Sequence, residues 1–150
     1  MRPDTTRETA RITRSIRERR DVGRVHVAVY ALDAGEAVDA DAIMEGAGLD
    51  PVAEIELTPD DALVATTEVL ARDLAYRATI MPHEDAEALA SAFLRCFPGP
   101  ARFWTNGELL VAHAHGTSGA WTSATKATFD SGIVIIGPTH AGLLWVEDED

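Results

Sequence analysis

Two histidines in "LLVAHAH", His113 and His115, stand two residues apart. In an extended chain both imidazoles would leave the same face, as a metal ion requires of its first two ligands. A third ligand would have to come from His26, His83, His140 or a carboxylate. None of these lies in a recognisable second half of a metal motif. The plainer reading places both rings on the solvent side of a half-buried strand. His113 and His115 are therefore kept as metal candidates only, and no cofactor is expected. The single cysteine, Cys96, lies among Phe93, Leu94 and Phe97 near the expected end of a helix. Both the apolar neighbours and the negative end of the helix dipole disfavour a thiolate, so Cys96 reads as packing and not as a nucleophile.

The string "TFDSGIVIIG", residues 128–137, resembles the aspartic-protease signature, in which an apolar residue precedes Asp-Ser-Gly or Asp-Thr-Gly. That resemblance would make Asp130 half of a carboxylate pair that shares a proton and activates water. Two departures stand against it. Ile133 occupies a position where that family has a small residue, and the motif occurs once, 20 residues from the end of the chain. The competing reading is a tight turn, with Asp130 and Gly132 chosen for turn geometry. There is no GxGxxG, no GxxxxGK[ST] and no GxSxG.

The remaining chemistry is charge and aromatic surface. The chain carries a formal net charge of −12. Residues 1–24 hold eight arginines against four acids, a net +4, and residues 25–150 hold five basic residues against 21 acids, a net −16. A body of that sign repels nucleic acid and anionic lipid and favours encounter with a basic protein. The chain closes on "LLWVEDED", where Glu147, Asp148, Glu149 and Asp150 follow an apolar strand. Acids held at a sheet end repel one another, so a cation from a partner or from the chain's own N-terminal helix would relieve them. Trp104, Trp121 and Trp145 all fall in the β-rich half, and Trp104 and Trp121 are candidate contact anchors.

These residues need elements to hold them. The first 22 residues read as a basic helix or arm, with Arg7, Arg11 and Arg14 on one side and a thin stripe of Ile12 and Ile16 on another. Alternation predicts strands over 24–32 and 52–57, with a short helix near 40–47 between them. "TPDD" predicts a helix capped by Thr58 with Pro59 at its first position, continuing to Tyr76 or beyond. A second helix begins near Pro82, carries Glu84 and Asp85 in its first turn, and ends before Pro98-Gly99-Pro100. From residue 101 the pattern turns to β. Asn106-Gly107 predicts a hairpin, "DSG" a turn, "IVII" a strand buried on both faces, "GPTHAG" a hairpin loop and "LLWV" the last strand.

The sequence thus predicts one α+β domain over 1–150, with N-terminal and central helices packed on a mostly antiparallel sheet and a C-terminal β-meander. No apolar run approaches the roughly 20 residues that span a bilayer, no signal-peptide pattern opens the chain, and the lone cysteine suits a reducing compartment; the expectation is a cytoplasmic protein. The leading functional expectation is a non-enzymatic acidic protein that masks a basic partner, as a bacterial immunity or antitoxin-type inhibitor masks a nucleic-acid-directed toxin. It would act as a monomer or homodimer, without direct nucleic-acid or membrane contact. Its contact residues would be Glu147, Asp148, Glu149, Asp150, Trp104 and Trp121. The alternatives are a small enzyme using His113, His115 and Asp130, with or without a metal, and an acidic effector chaperone.

Overall fold

The computed structural model describes residues 1–149. Its elements run β1 (Arg2–Pro3), α1 (Arg7–Arg19), β2 (Arg24–Ala31), α2 (Ala40–Gly46), β3 (Ile55–Leu57), α3 (Pro59–Ala71), α4 (His83–Leu94), β4 (Arg102–Thr105), α5 (Leu109–Ala114), β5 (Phe129–Ile136) and β6 (His140–Asp148). The alternating valines of β2 and the apolar runs of β5 and β6 build the middle of a six-stranded antiparallel sheet, ordered β1-β2-β6-β5-β4-β3. The α+β class read from the sequence is the one observed. Among the described residues no helix is long and apolar enough to cross a membrane.

Strand periodicity of two sends neighbouring side chains to opposite faces. On one face Val27, Val29, Phe103, Ile133, Ile135, Leu144 and Val146 pack with residues of α1, α3, α4 and α5. On the other, Val134, Ala141, Leu143 and Trp145 lie with Ile43 and Met44 of α2 and with Leu49 and Ala53. Both faces are covered, which is why β5 and β6 are apolar throughout their centres.

The N-terminal helix is docked, not loose. Its stripe of Thr9, Ile12, Thr13 and Ile16 is buried. Thr13 can be buried because its hydroxyl donates to the Thr9 carbonyl oxygen at 3.1 Å, so no polar group is stranded. Helix α3 starts as expected, with the Thr58 hydroxyl accepting from the Asp61 N–H at 3.1 Å. It stops at Ala71, five residues before Tyr76. The cause is tertiary. The Val69 and Arg72 carbonyls accept from the Arg20 guanidinium at 2.9 and 3.3 Å. The Asp73 carboxylate accepts from the Tyr76 and Ala78 N–H groups, closing a local turn.

Three local expectations are overturned. "DSG" is not a turn: Asp130, Ser131 and Gly132 lie inside β5 opposite Glu147, Val146 and Trp145. Gly132 is needed because a Cβ there would lie 2.0 Å from the Leu144 carbonyl oxygen. Asn106-Gly107 makes no hairpin, because the Asn106 side chain is buried and bonded to Thr122, Asp130 and Ser131. "LLVAHA" is helix α5, not a strand, with Leu109, Leu110 and His113 buried at helical spacing. A short apolar run fits either period, and packing decides between them.

Candidate partner-binding face

Asp148 is not a surface group. It is 1% exposed and forms a bidentate pair with Arg20, Nη1 to Oδ1 at 2.8 Å and Nη2 to Oδ2 at 2.9 Å. The Leu74 N–H adds a third bond to Oδ2 at 2.8 Å. Arg20 is equally buried and donates to the Val22 carbonyl as well. A paired, fully hydrogen-bonded ion pair is the form in which two buried charges are tolerated. Gly23 is fitted against this pair: a Cβ there would meet Asp148 Oδ1 at 2.2 Å. Glu147 accepts from the His26 Nε2–H at 2.6 Å and lies 3.9 Å from Arg24. Glu149 accepts from the Thr128 hydroxyl at 2.6 Å. Asp150 lies outside the described residues. The acids that were expected to face a partner are largely held by the chain itself. The cation for Asp148 comes from the residue just after α1.

Asp130 is wholly buried, and both its oxygens are used. Oδ1 accepts from the Ala124 N–H at 2.8 Å and from the Trp145 indole at 3.1 Å, and Oδ2 accepts from the Thr125 N–H and hydroxyl at 3.2 and 3.0 Å. This carboxylate pins the 122–125 loop to the sheet and has no open side for water, so the protease resemblance ends at the string. His113 and His115 also part company. Two residues apart on a helix they are about 200° apart. His113 is buried, while His115 is exposed with Nδ1 at 2.9 Å from the Val111 carbonyl. Burial, and secondarily the charge of Arg77, hold the His113 pKa below its ordinary value. Among the described residues no group of three or more His, Cys, Asp or Glu could hold a metal ion. Cys96 is half-buried, and burial pushes its thiol up, in keeping with a packing role.

The two tryptophans proposed as anchors lie on opposite sides of the sheet. Trp121 stacks on Phe129 with ring centres 5.3 Å apart and packs against the helical core. Trp104 packs against the α2 core. Trp104 meets a carboxylate surface. It lines a cleft of about 480 Å³ with Asp39 and Asp41 at the start of α2 and with Glu54 before β3. The Arg102 guanidinium lies over its ring at 5.0 Å and is bound by Glu56 through two bonds of 2.9 and 2.7 Å. The Asp39 carboxylate caps α2 by accepting from the Ala42 N–H at 2.8 Å.

This cleft sits within a stretch that sequence reasoning passed over. Residues 33–61 contain Asp33, Glu36, Asp39, Asp41, Glu45, Asp50, Glu54, Glu56, Asp60 and Asp61, ten acids, and no Lys, Arg or His. Asp33 pairs with Arg2, Glu36 with the N-terminal ammonium and Glu56 with Arg102. Asp41, Glu45, Asp50 and Glu54 are exposed and have no ion pair among the described residues. A window count of charge would have found the stretch; the four consecutive acids at the chain end drew the eye instead.

A scan against protein-family models finds no match, and searches of curated proteins and of solved structures find none either.

Proposed function

We propose that this chain is a non-catalytic binding protein that engages a basic partner protein through the α2–β3 face, with Trp104 as its aromatic anchor. The observation that carries this reading is the exposed Asp41 and Glu54 carboxylates at the Trp104 cleft, which have no ion pair among the described residues. Carboxylates without internal cations project a negative field that speeds encounter with a positive surface. The Trp104 ring carries the Arg102 guanidinium, itself held by Glu56, and the exposed Asp41 and Glu54 carboxylates beside the ring would supply the charge that an incoming arginine seeks. The finer reading is an inhibitor of the immunity or antitoxin type, covering the basic surface with which a toxin grips nucleic acid. It rests on size, acidity and the want of a free catalytic constellation among His113, His115 and Asp130.

The test has two parts. A hexa-arginine peptide is titrated into isotopically labelled protein, and its shift changes are expected at the Trp104 indole and at amides 38–54, reduced by added salt. Tagged protein is then used for capture from its host at low salt, beside a variant carrying Asp41→Asn, Glu54→Gln and Trp104→Ala. A basic protein held by the wild type and lost by the folded variant supports the reading. Peptide shifts scattered over the molecule, or capture indifferent to both salt and the three substitutions, would overturn it.

A further inference from the structure

The sheet has two edges, and they are finished differently. At one, β1 is two residues long and includes Pro3, which has no N–H to offer. At the other, β3 is paired to β4 alone. Among the described residues no backbone hydrogen bond outside that ladder falls on residues 55–57. A ladder uses one side of a strand, so alternate N–H and C=O groups of β3 point away from β4 and form an open edge. Its side chains are open as well. Ile55 is 49% exposed, and of the four large hydrophobic side chains exposed among the described residues it is the one that lies in a strand.

The two faces of β3 define what this edge would take. Residues directly opposite in an antiparallel ladder share a face. Glu56 lies opposite Trp104, and Glu54, two residues before it, lines the Trp104 cleft, so both acids stand on the α2 side. Glu54 has no ion pair among the described residues, and Glu56, held by Arg102, still exposes 46% of its side chain. Ile55 and Leu57 lie opposite Thr105 and Phe103 on the other face, where Leu57 packs against the helical core. An added strand would set alternate residues beside the two carboxylates and the residue between them beside Ile55. A second copy of this chain is a poor fit. Antiparallel pairing centred on Ile55 sets Glu54 against Glu56, and pairing centred on Glu56 sets that residue against itself. A basic strand answers the same charge. We propose that the open edge of β3 takes an extended segment of the basic partner as an added strand, with arginine or lysine side chains beside Glu54 and Glu56 and an apolar residue beside Ile55. Backbone hydrogen bonds would hold the segment, and its alternating side chains would select it. The inference rests on the acidic-face reading above and specifies the conformation in which the partner is held.

The probes are end-blocked peptides titrated into isotopically labelled protein: a hexapeptide of alternating arginine and valine, its two isomers methylated at every arginine or at every valine backbone nitrogen, and hexa-arginine. The alternating peptide should bind saturably, show backbone NOEs to residues 54–57 and slow the exchange of their amides with solvent. Each methylated isomer blocks one edge of the peptide and keeps its charge. At least one of them should bind about tenfold more weakly, as the loss of one or two backbone hydrogen bonds implies. Ile55→Ser should weaken the alternating peptide by a few-fold and leave hexa-arginine unchanged. Two isomers that bind as tightly as the parent, or parent shifts confined to the Trp104 indole and amides 38–53, would overturn the added strand and leave the acidic face standing. If neither the alternating peptide nor hexa-arginine shifts the Trp104 indole or amides 38–57, both readings fall together.

Discussion

The two acidic regions of this chain have opposite fates. Of the acids in 147–149, one is sealed in a bidentate pair with Arg20 and the others are bonded to His26 and Thr128. The acids of 33–61 outnumber their internal cations, and Asp41, Glu45, Asp50 and Glu54 face solvent without an ion pair among the described residues. A run of charge therefore says little about its use. What matters is whether the fold delivers a counter-charge, and at residue 148 it brings one from 128 positions away. The first region is part of the structure, and the second is available to something else.

The sharpest way to break this contrast is to remove one partner of the sealed pair. Arg20→Ala or Asp148→Ala leaves an uncompensated charge and strands the carbonyls or the N–H it satisfied. Chemical denaturation should show a loss of about 3 to 5 kcal/mol, and Tm should fall by roughly 10 °C. The double replacement Arg20→Met with Asp148→Leu should recover much of that loss. An unchanged midpoint in both single variants would mean that the pair is not formed in solution.

Asp130→Ala tests a carboxylate of the same internal kind and should cost about 3 kcal/mol, because it frees the Trp145 indole and two loop amides. The 122–125 amides should then exchange with solvent faster. The opposite result is expected on the acidic face. Neutralising Asp41, Glu45, Asp50 and Glu54 together should leave Tm almost unchanged, while binding of a basic peptide and its salt dependence fall several-fold. A large drop in Tm there would erase the distinction between the two regions.

Smaller effects follow from two titrations. Burial of Asp4 raises its pKa, but the Thr6 N–H and the hydroxyls of Thr9 and Thr6, with His140 nearby, outweigh it and leave the group below its ordinary 3.8. A lowered carboxyl pKa gives stability that is complete above the unfolded value and is lost as pH falls through the folded one. Asp4→Asn should therefore flatten the stability curve below about pH 4 and do little at pH 7. His113 works in the same direction at higher pH. With its folded pKa lowered, the unfolded chain takes up the proton first, so stability declines as pH falls below about 6.5. Ring-proton NMR should place the His113 midpoint below that value. The smallest effect expected is at Cys96, whose raised pKa should make alkylation at pH 8 slower in the folded than in the unfolded protein.

The parts of the fold that were legible in the sequence are those where local chemistry and tertiary packing agree. The Thr58 cap, the acidic first turns of α3 and α4, the alternation of β2 and the two-faced apolar run of β5 each satisfy their own backbone or bury their own face. Of the candidate site the sequence singled out Trp104, while the exposed acids beside it went unmarked and Asp148 proves to be sealed against Arg20. The failures at Asn106-Gly107, "DSG" and "LLVAHA" share a cause. Each segment has strong local preferences that were outbid by a distant group, whether the 122–125 loop reaching Asp130 or the helical core drawing in Leu109, Leu110 and His113.

By itself the sequence determined the α+β class, the positions of the long helices and central strands, and the excess of negative charge, because periodicity, capping and net charge are properties of neighbouring residues. Only the tertiary structure decided which carboxylates were neutralised inside and where α3 stops. Those outcomes depend on pairings such as Arg20 with Asp148, between groups far apart in the chain, and hydrogen bonds and ion pairs act only once folding has brought their atoms within about 3 Å.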